Sequence, residues 1–167
     1  MLRCTSAYFN TLLALCAVLL AGCTALSPYS HVIKLDLTLS ASDQVNPDLH
    51  GRPSPVVIRL LELKHPVAFE NADFFGVFER AQELLAQDLV VSEELELRPG
   101  ERVSHKLSVA PGSRYVGVVA AYRDLPHTQW RYVIELRPEH ITHAHLMLDL
   151  AGIRRTDGAS AAPGDGS

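Results

Sequence analysis

Beyond position 23 this 167-residue sequence has no cysteine; Cys4, Cys16 and Cys23 are its only three. A domain folded from the remainder has no disulfide to staple it and no thiol for nucleophilic or metal chemistry. Positive charge is also short. The 15 Lys and Arg face 19 Asp and Glu, a formal net charge of -4, where a nucleic-acid binder would show a basic stripe. No G-x-S-x-G elbow sharpens a serine, and no H-E-x-x-H pairs two histidines for zinc. Glu93 and Glu94 are adjacent in an alternating segment, so they point to opposite faces and form no carboxylate dyad. Glu70 and Asp73 flank a helix start, where capping and the helix dipole explain an acid. The residues therefore support no enzyme.

A long apolar run occurs at Leu12–Leu19, with Arg3 as the only charge ahead of it. A short positive segment followed by an apolar one reads as a secretory signal rather than a spanning helix. It ends in Leu20-Ala21-Gly22-Cys23, the acceptor pattern of bacterial lipoproteins, so residues 1–22 are expected to be removed and Cys23 acylated. One acyl chain binds a membrane only marginally and stable anchoring takes two signals, so a multiply acylated cysteine is effectively permanent. Thr24 stands where an aspartate usually retains such proteins in the inner membrane, which favours the outer membrane. The covalent lipid on Cys23 is the only prosthetic group expected; no other cofactor or metal is. Residues 23–31 then form a lipidated linker, 32–153 a folded domain and 154–167 a disordered tail without a large apolar residue.

The expected domain is mainly β. Ile33, Leu35, Leu37 and Leu39 alternate with Lys34, Asp36, Thr38 and Ser40, which reads as a half-buried strand. Val56–Leu63 is apolar nearly throughout except Arg59 and Glu62, as befits a central strand. Phe74, Phe75, Phe78, Ala81, Leu84 and Leu85 recur at helical spacing within Asn71–Ala86, with Asn71 a candidate N-cap. Leu89–Leu97, Arg102–Val109, Tyr115–Tyr122, Gln129–Leu136 and His145–Leu150 follow as strands, Tyr115–Tyr122 being the most buried. Seven or eight short strands with regular turn signals and one inserted helix indicate a two-sheet β-sandwich.

Three features invite a functional reading. His140, His143 and His145 near Glu139 suggest a metal and, with it, a hydrolase, although a turn and a wet strand edge account for them more simply. The Phe69, Phe74, Phe75 and Phe78 set could roof a pocket for a small apolar ligand, as in a periplasmic carrier or sensor; a core role explains it better. The segment 41–55 is a long loop stiffened by Pro47, Pro53 and Pro55. Long connections of this kind are usually functional or disordered. Val45 and Leu49 are apolar there with no obvious core to claim them, and preorganised loops on a rigid scaffold commonly carry recognition.

Several of these stretches together resemble the outer-membrane lipoprotein family of type VI secretion systems (TssJ/SciN). They are the lipobox, Asn46-Pro47-Asp48, the Gly51–Arg59 run, Leu63, Phe69, Ala72-Asp73-Phe74, Pro99-Gly100, Tyr115–Arg123 and Trp130-Arg131, spanning about residues 20 to 152. Leu60-Leu61 departs from relatives that carry an aromatic in the second strand. The resemblance implies a transthyretin-like sandwich with helical additions. It also implies a non-enzymatic adaptor facing the periplasm, tethered to the outer membrane by its acyl chains. Its implied partner is the periplasmic part of the large inner-membrane secretion subunit (TssM type), contacted through the loop between the first two strands. On this reading Val45, Asn46, Pro47, Asp48 and Leu49 form the loop tip and Arg52 a polar rim contact.

Overall fold

Strict alternation in β1 (Lys34–Ala41) buries Leu35, Leu37 and Leu39 completely or nearly so. The computed structural model describes residues 33–138 and 140–157; the signal segment, Cys23 and the 23–31 linker lie outside them. Two four-stranded sheets face each other. One has the order β4-β1-β7-β8 and the other β3-β2-β5-β6. Here β2 is Val56–Leu63, β3 Leu89–Leu97, β4 Arg102–Ser108, β5 Tyr115–Ala120, β6 Arg131–Glu135, β7 Thr142–Asp149 and β8 Gly152–Arg155. Strand β1 runs antiparallel to β4 and parallel to β7, and the remaining strand ladders are antiparallel, with one isolated parallel bridge between Gln129 and Gly152. Leu37, Ile58, Leu60, Val118, Ile134 and Leu146 meet between the sheets in the main core. The sandwich expected from the strand pattern is the fold observed.

Strands β2 and β5 are apolar on both faces because both faces are covered. On the outer side, two helical segments, α1 (Val67–Asn71) and α2 (Phe74–Leu84), lie over them. Leu61, Leu63 and Val119 there meet Phe69, Val77, Ala81 and Leu85 in a second cluster. The single helix expected over Asn71–Ala86 is thus shorter, with a five-residue helical turn ahead of it. Ala72 is extended, and Asp73 rather than Asn71 caps α2, its Oδ1 accepting from the Gly76 amide at 2.9 Å. Asn71 instead turns its side chain back to donate to the Val67 carbonyl.

Gly117 of β5 lies beneath Phe69. A Cβ at that position would sit 2.9 Å from both Cε2 and Cζ of the Phe69 ring, which is fully buried. Gly117→Val should therefore overpack this layer and destabilise the domain by about 1–3 kcal/mol. The effect would be read as a lower denaturation midpoint at constant slope. An unchanged midpoint would mean that Phe69 is not held against β5.

The buried one of the two polar exceptions in β2 has a structural reason. Glu62 is buried, and its Oε2 accepts from the Ala110 amide at 2.8 Å and the Ser113 hydroxyl at 3.0 Å. It ties the end of β2 to the β4–β5 turn and satisfies groups that burial would otherwise strand. The domain also runs further than the sequence pattern indicated. Arg154 and Arg155, expected in the disordered tail, belong to β8; Arg154 pairs with Asp149 at 2.8 Å and Arg155 with Asp157 at 2.6 Å. Ladder hydrogen bonds to β7 recruit these residues without needing large apolar side chains. Residues 158–167 lie outside the described residues.

Candidate partner-binding end

The strand directions give the sandwich two distinct ends. Ile33, where the chain enters, bonds across to Val109, and the β2–α1, β4–β5 and β6–β7 connections gather at the same end. The loop after β1 emerges at the other end. It is joined there by the β3–β4 turn (Gly100 amide to Ser42 carbonyl, 3.2 Å), by Leu148, whose carbonyl accepts from the Ser42 amide at 2.8 Å, and by the β5–β6 connection.

The loop is built in two tiers, and its base is not where the sequence reading placed it. Val45 is fully buried in the main core and Asn46 is only 3% exposed. Neither can be a tip contact. The strand pattern ends at Ala41, so it gave no hint that the chain dips back into the core four residues later. Asn46 adopts a left-handed backbone, φ 49°, which asparagine tolerates better than most residues. Its side-chain amide donates to the Pro55 carbonyl and its oxygen accepts from the Arg123 amide, each at 2.8 Å. These bonds close the loop on itself and clamp it to the chain after β5.

Above this base Asp48 organises the tip. Its carboxylate accepts from the His50 amide at 2.8 Å, the Arg52 amide at 3.0 Å and the Arg52 Nε at 2.8 Å. Backbone bonds between Asp48 and both Gly51 and Arg52 complete the turn, with Gly51 at φ 75°. The backbone and side-chain donors of Arg52, with the His50 amide, hold the Asp48 carboxyl below its ordinary range. Arg52 is thus engaged within the loop, though its side chain remains 75% exposed and able to meet a partner. Pro47 is half-buried, and Leu49 projects into solvent, 102% exposed. A leucine held out on a closed, hydrogen-bonded turn is an unsatisfied apolar contact on a rigid mount.

A groove of about 600 Å³ runs beside the tip, between Pro47, Asp48 and Leu49 on one side and Arg123, Asp124 and His127 on the other. Asp124 meets His127 Nδ1 at 2.7 Å across a single 3-10 turn, Leu125–His127. These three residues extend the site, and sequence reasoning missed them. Their only sequence signal was a proline-centred loop after the most buried strand; nothing there indicated the Asn46 clamp, which spans 77 positions.

Tyr122, next to Arg123 in the chain, is buried in the main core, and burial first, then the Asp149 charge, pushes its phenol well above the ordinary value near 10. A phenol raised in the folded state favours its neutral form, so its contribution is complete below about pH 10 and is lost as pH rises through the folded value. Wild type should lose stability above pH 10 more steeply than Tyr122→Phe. Parallel alkaline profiles for the two proteins would contradict this.

The other candidates fall away from this end. His143 and His145 share the exposed face of β7, and His143 lies 3.7 Å from Asp36. His140 is exposed in the preceding turn, and Glu139 lies outside the described residues. Among the described residues no three His, Cys, Asp or Glu come together as a metal site. The space under the helices is filled by Phe69, Val77, Ala81 and Leu85. Phe74 stacks on Phe78 and meets Trp130 edge-on, while Arg131 donates to the Phe69 and Ala72 carbonyls. Phe69, Phe74 and Phe78 are packing between helix and sheet, while Phe75 is exposed on the outer face and meets Phe74 edge-on.

Fold and site together define a two-sheet β domain that presents a closed, hydrogen-bonded loop with an exposed leucine at the end opposite its point of chain entry. The chain belongs to the type VI secretion lipoprotein family (T6SS-SciN; VasD, EvfM, TssJ), whose family model matches residues 33–151. Among solved structures it is similar to the T6SS lipoprotein TssJ1 from Pseudomonas aeruginosa, at 35% identity over 74% of this chain and 96% of that one, TM-score 0.66. It is also similar to Serratia marcescens Lip, a membrane-bound component of the type VI secretion system, at 28% identity over 76% of this chain and 99% of that one, TM-score 0.67. A chain in a solved structure of the T6SS protein TssM C-terminal domain from EAEC matches at 26% identity, covering 73% of this chain and 99% of that one, TM-score 0.62. No curated protein matches the chain at a comparable level.

Proposed function

We propose that this protein is a non-enzymatic adaptor of the type VI secretion membrane complex. Lipid on Cys23 holds it in the outer membrane with the domain in the periplasm, and the loop end binds the periplasmic C-terminal part of the large inner-membrane subunit. The observation that carries this reading is the opposition of the two ends. Ile33 leads back to Cys23, ten residues upstream, while Leu49 projects from the far end of β1. Likeness to a chain in a structure of a TssM C-terminal domain supports the choice of partner.

Rigidity of the loop serves this role. Asn46 and Asp48 fix the tip before binding, so little ordering entropy remains to be lost on association. The exposed Leu49 supplies apolar contact, and Arg52, Arg123 and His127 supply a polar rim, the usual anatomy of a protein interface. The full chain should co-purify from solubilised membranes with the large subunit's periplasmic part. Isolation of the chain alone from membranes that contain both would refute the assignment.

A further inference from the structure

The chain-entry end has a chemistry of its own. Lys34, Lys64, Lys106, Arg114 and Arg137 are all exposed on it or beside it, and none forms an ion pair among the described residues. At the loop end, by contrast, Asp48, Asp124 and Asp149 each hold a cationic or histidine partner. Ile141, 52% exposed, stands between two shallow grooves. One, of about 350 Å³, carries Lys34 and Lys106; the other, of about 480 Å³, carries Arg137, His143 and Arg155. Acids are also present: Asp36 lines the first groove opposite Lys106 and lies 3.7 Å from His143, Asp157 holds Arg155, Asp88 meets His65, and Glu70 and Glu135 are exposed without an ion pair among the described residues.

Five cations without an ion pair against two such acids, on a protein of net charge -4, favour an anionic neighbour, and an exposed isoleucine among cations is the pattern of an interfacial contact. The ten residues between Cys23 and Ile33 span at most about 35 Å fully extended, so a lipid on Cys23 keeps this end near the bilayer. We infer that this end docks on the membrane surface, with Ile141 entering the headgroup region and Lys34, Lys106 and Arg137 taking anionic phospholipid headgroups beside it. The inference rests on the anchoring proposed above. It adds an orientation: the domain stands on the membrane with the loop turned away from it, instead of swinging on its linker.

The test uses the lipidated full chain, reconstituted in vesicles of phosphatidylethanolamine and phosphatidylglycerol that carry a headgroup nitroxide quencher. A fluorophore is attached to Ile141→Cys or, as the distal control, to Leu49→Cys. The dye at 141 should be strongly quenched and the dye at 49 hardly at all. Replacing phosphatidylglycerol with phosphatidylcholine, or adding about 1 M salt to shrink the Debye length to about 3 Å, should abolish the difference. Each basic residue near an anionic surface is worth about fivefold in occupancy, so Lys34→Glu/Lys106→Glu/Arg137→Glu should lower the docked population by roughly a hundredfold or more. If that variant fails to fold, the salt and headgroup series on the unsubstituted surface decides. Equal quenching at 141 and 49, or quenching at 141 that ignores headgroup charge and salt, would overturn the docking. Two dyes per chain would instead reveal a free Cys23 thiol, contradicting the anchor itself and the docking with it.

Discussion

Asn46→Ala should destabilise the domain by about 2–4 kcal/mol and loosen the loop it supports. The side chain is 3% exposed and meets both the Arg123 amide and the Pro55 carbonyl at 2.8 Å. Alanine leaves that buried donor and acceptor without partners, a cost of about 1–3 kcal/mol. It must also hold φ near 49°, a left-handed conformation that costs a Cβ-bearing residue about 1 kcal/mol more. Asn46→Gly relieves only the backbone part, so it should recover about 1 kcal/mol relative to alanine. Because Val45 and Asn46 are the footing of the tip, partner affinity should fall in both variants although neither residue reaches the partner. A wild-type denaturation midpoint for Asn46→Ala would show that the clamp is not what fixes the loop.

Cys23→Ser should separate the anchor from the fold completely. Both sheets, the core and the loop are built from residues 33 onward, so the domain should keep its denaturation midpoint and its affinity for the large subunit. Membrane attachment should disappear, because a multiply acylated cysteine supplies the chains that make anchoring lasting and serine accepts none of them by this chemistry. Fractionation should find the variant in the soluble periplasm, palmitate labelling should drop to background and secretion should cease. Retained palmitate would contradict the assignment of Cys23. Retained secretion with lost palmitate would mean that tethering to the bilayer is dispensable.

Much of the sandwich was legible because its strands obey period two. Leu35, Leu37 and Leu39 announced β1, and the two-sided apolarity of Tyr115–Ala120 correctly marked a strand covered on both faces. The capping residue of α2 was read two positions early, since Asn71 and Asp73 are both competent N-caps and only the extended Ala72 decides between them. Strand β8 escaped notice because Gly152–Arg155 places only Ile153 in the core and is otherwise held by backbone bonds to β7, and one apolar residue makes no hydrophobic period. The loop was found by its prolines and its length, yet its division into buried base and exposed tip was not. Val45 and Leu49 are equally apolar in sequence; one is fully buried and the other fully exposed. What separates them is the Asn46 clamp to Arg123, a contact between distant segments that no local pattern encodes. For the same reason Arg123, Asp124 and His127 entered the site only once β5 and the loop stood side by side.

The most direct test is the affinity of the full chain for the periplasmic C-terminal part of the large subunit, measured with wild type and with Leu49→Asp. Leu49 touches no core, so the substitution should leave the denaturation midpoint unchanged. Placing a carboxylate where an apolar anchor is expected should weaken binding by at least about tenfold, or roughly 1.4 kcal/mol. Equal affinity for the two proteins, with both folded, would contradict the assignment of this loop as the point where the protein holds its partner.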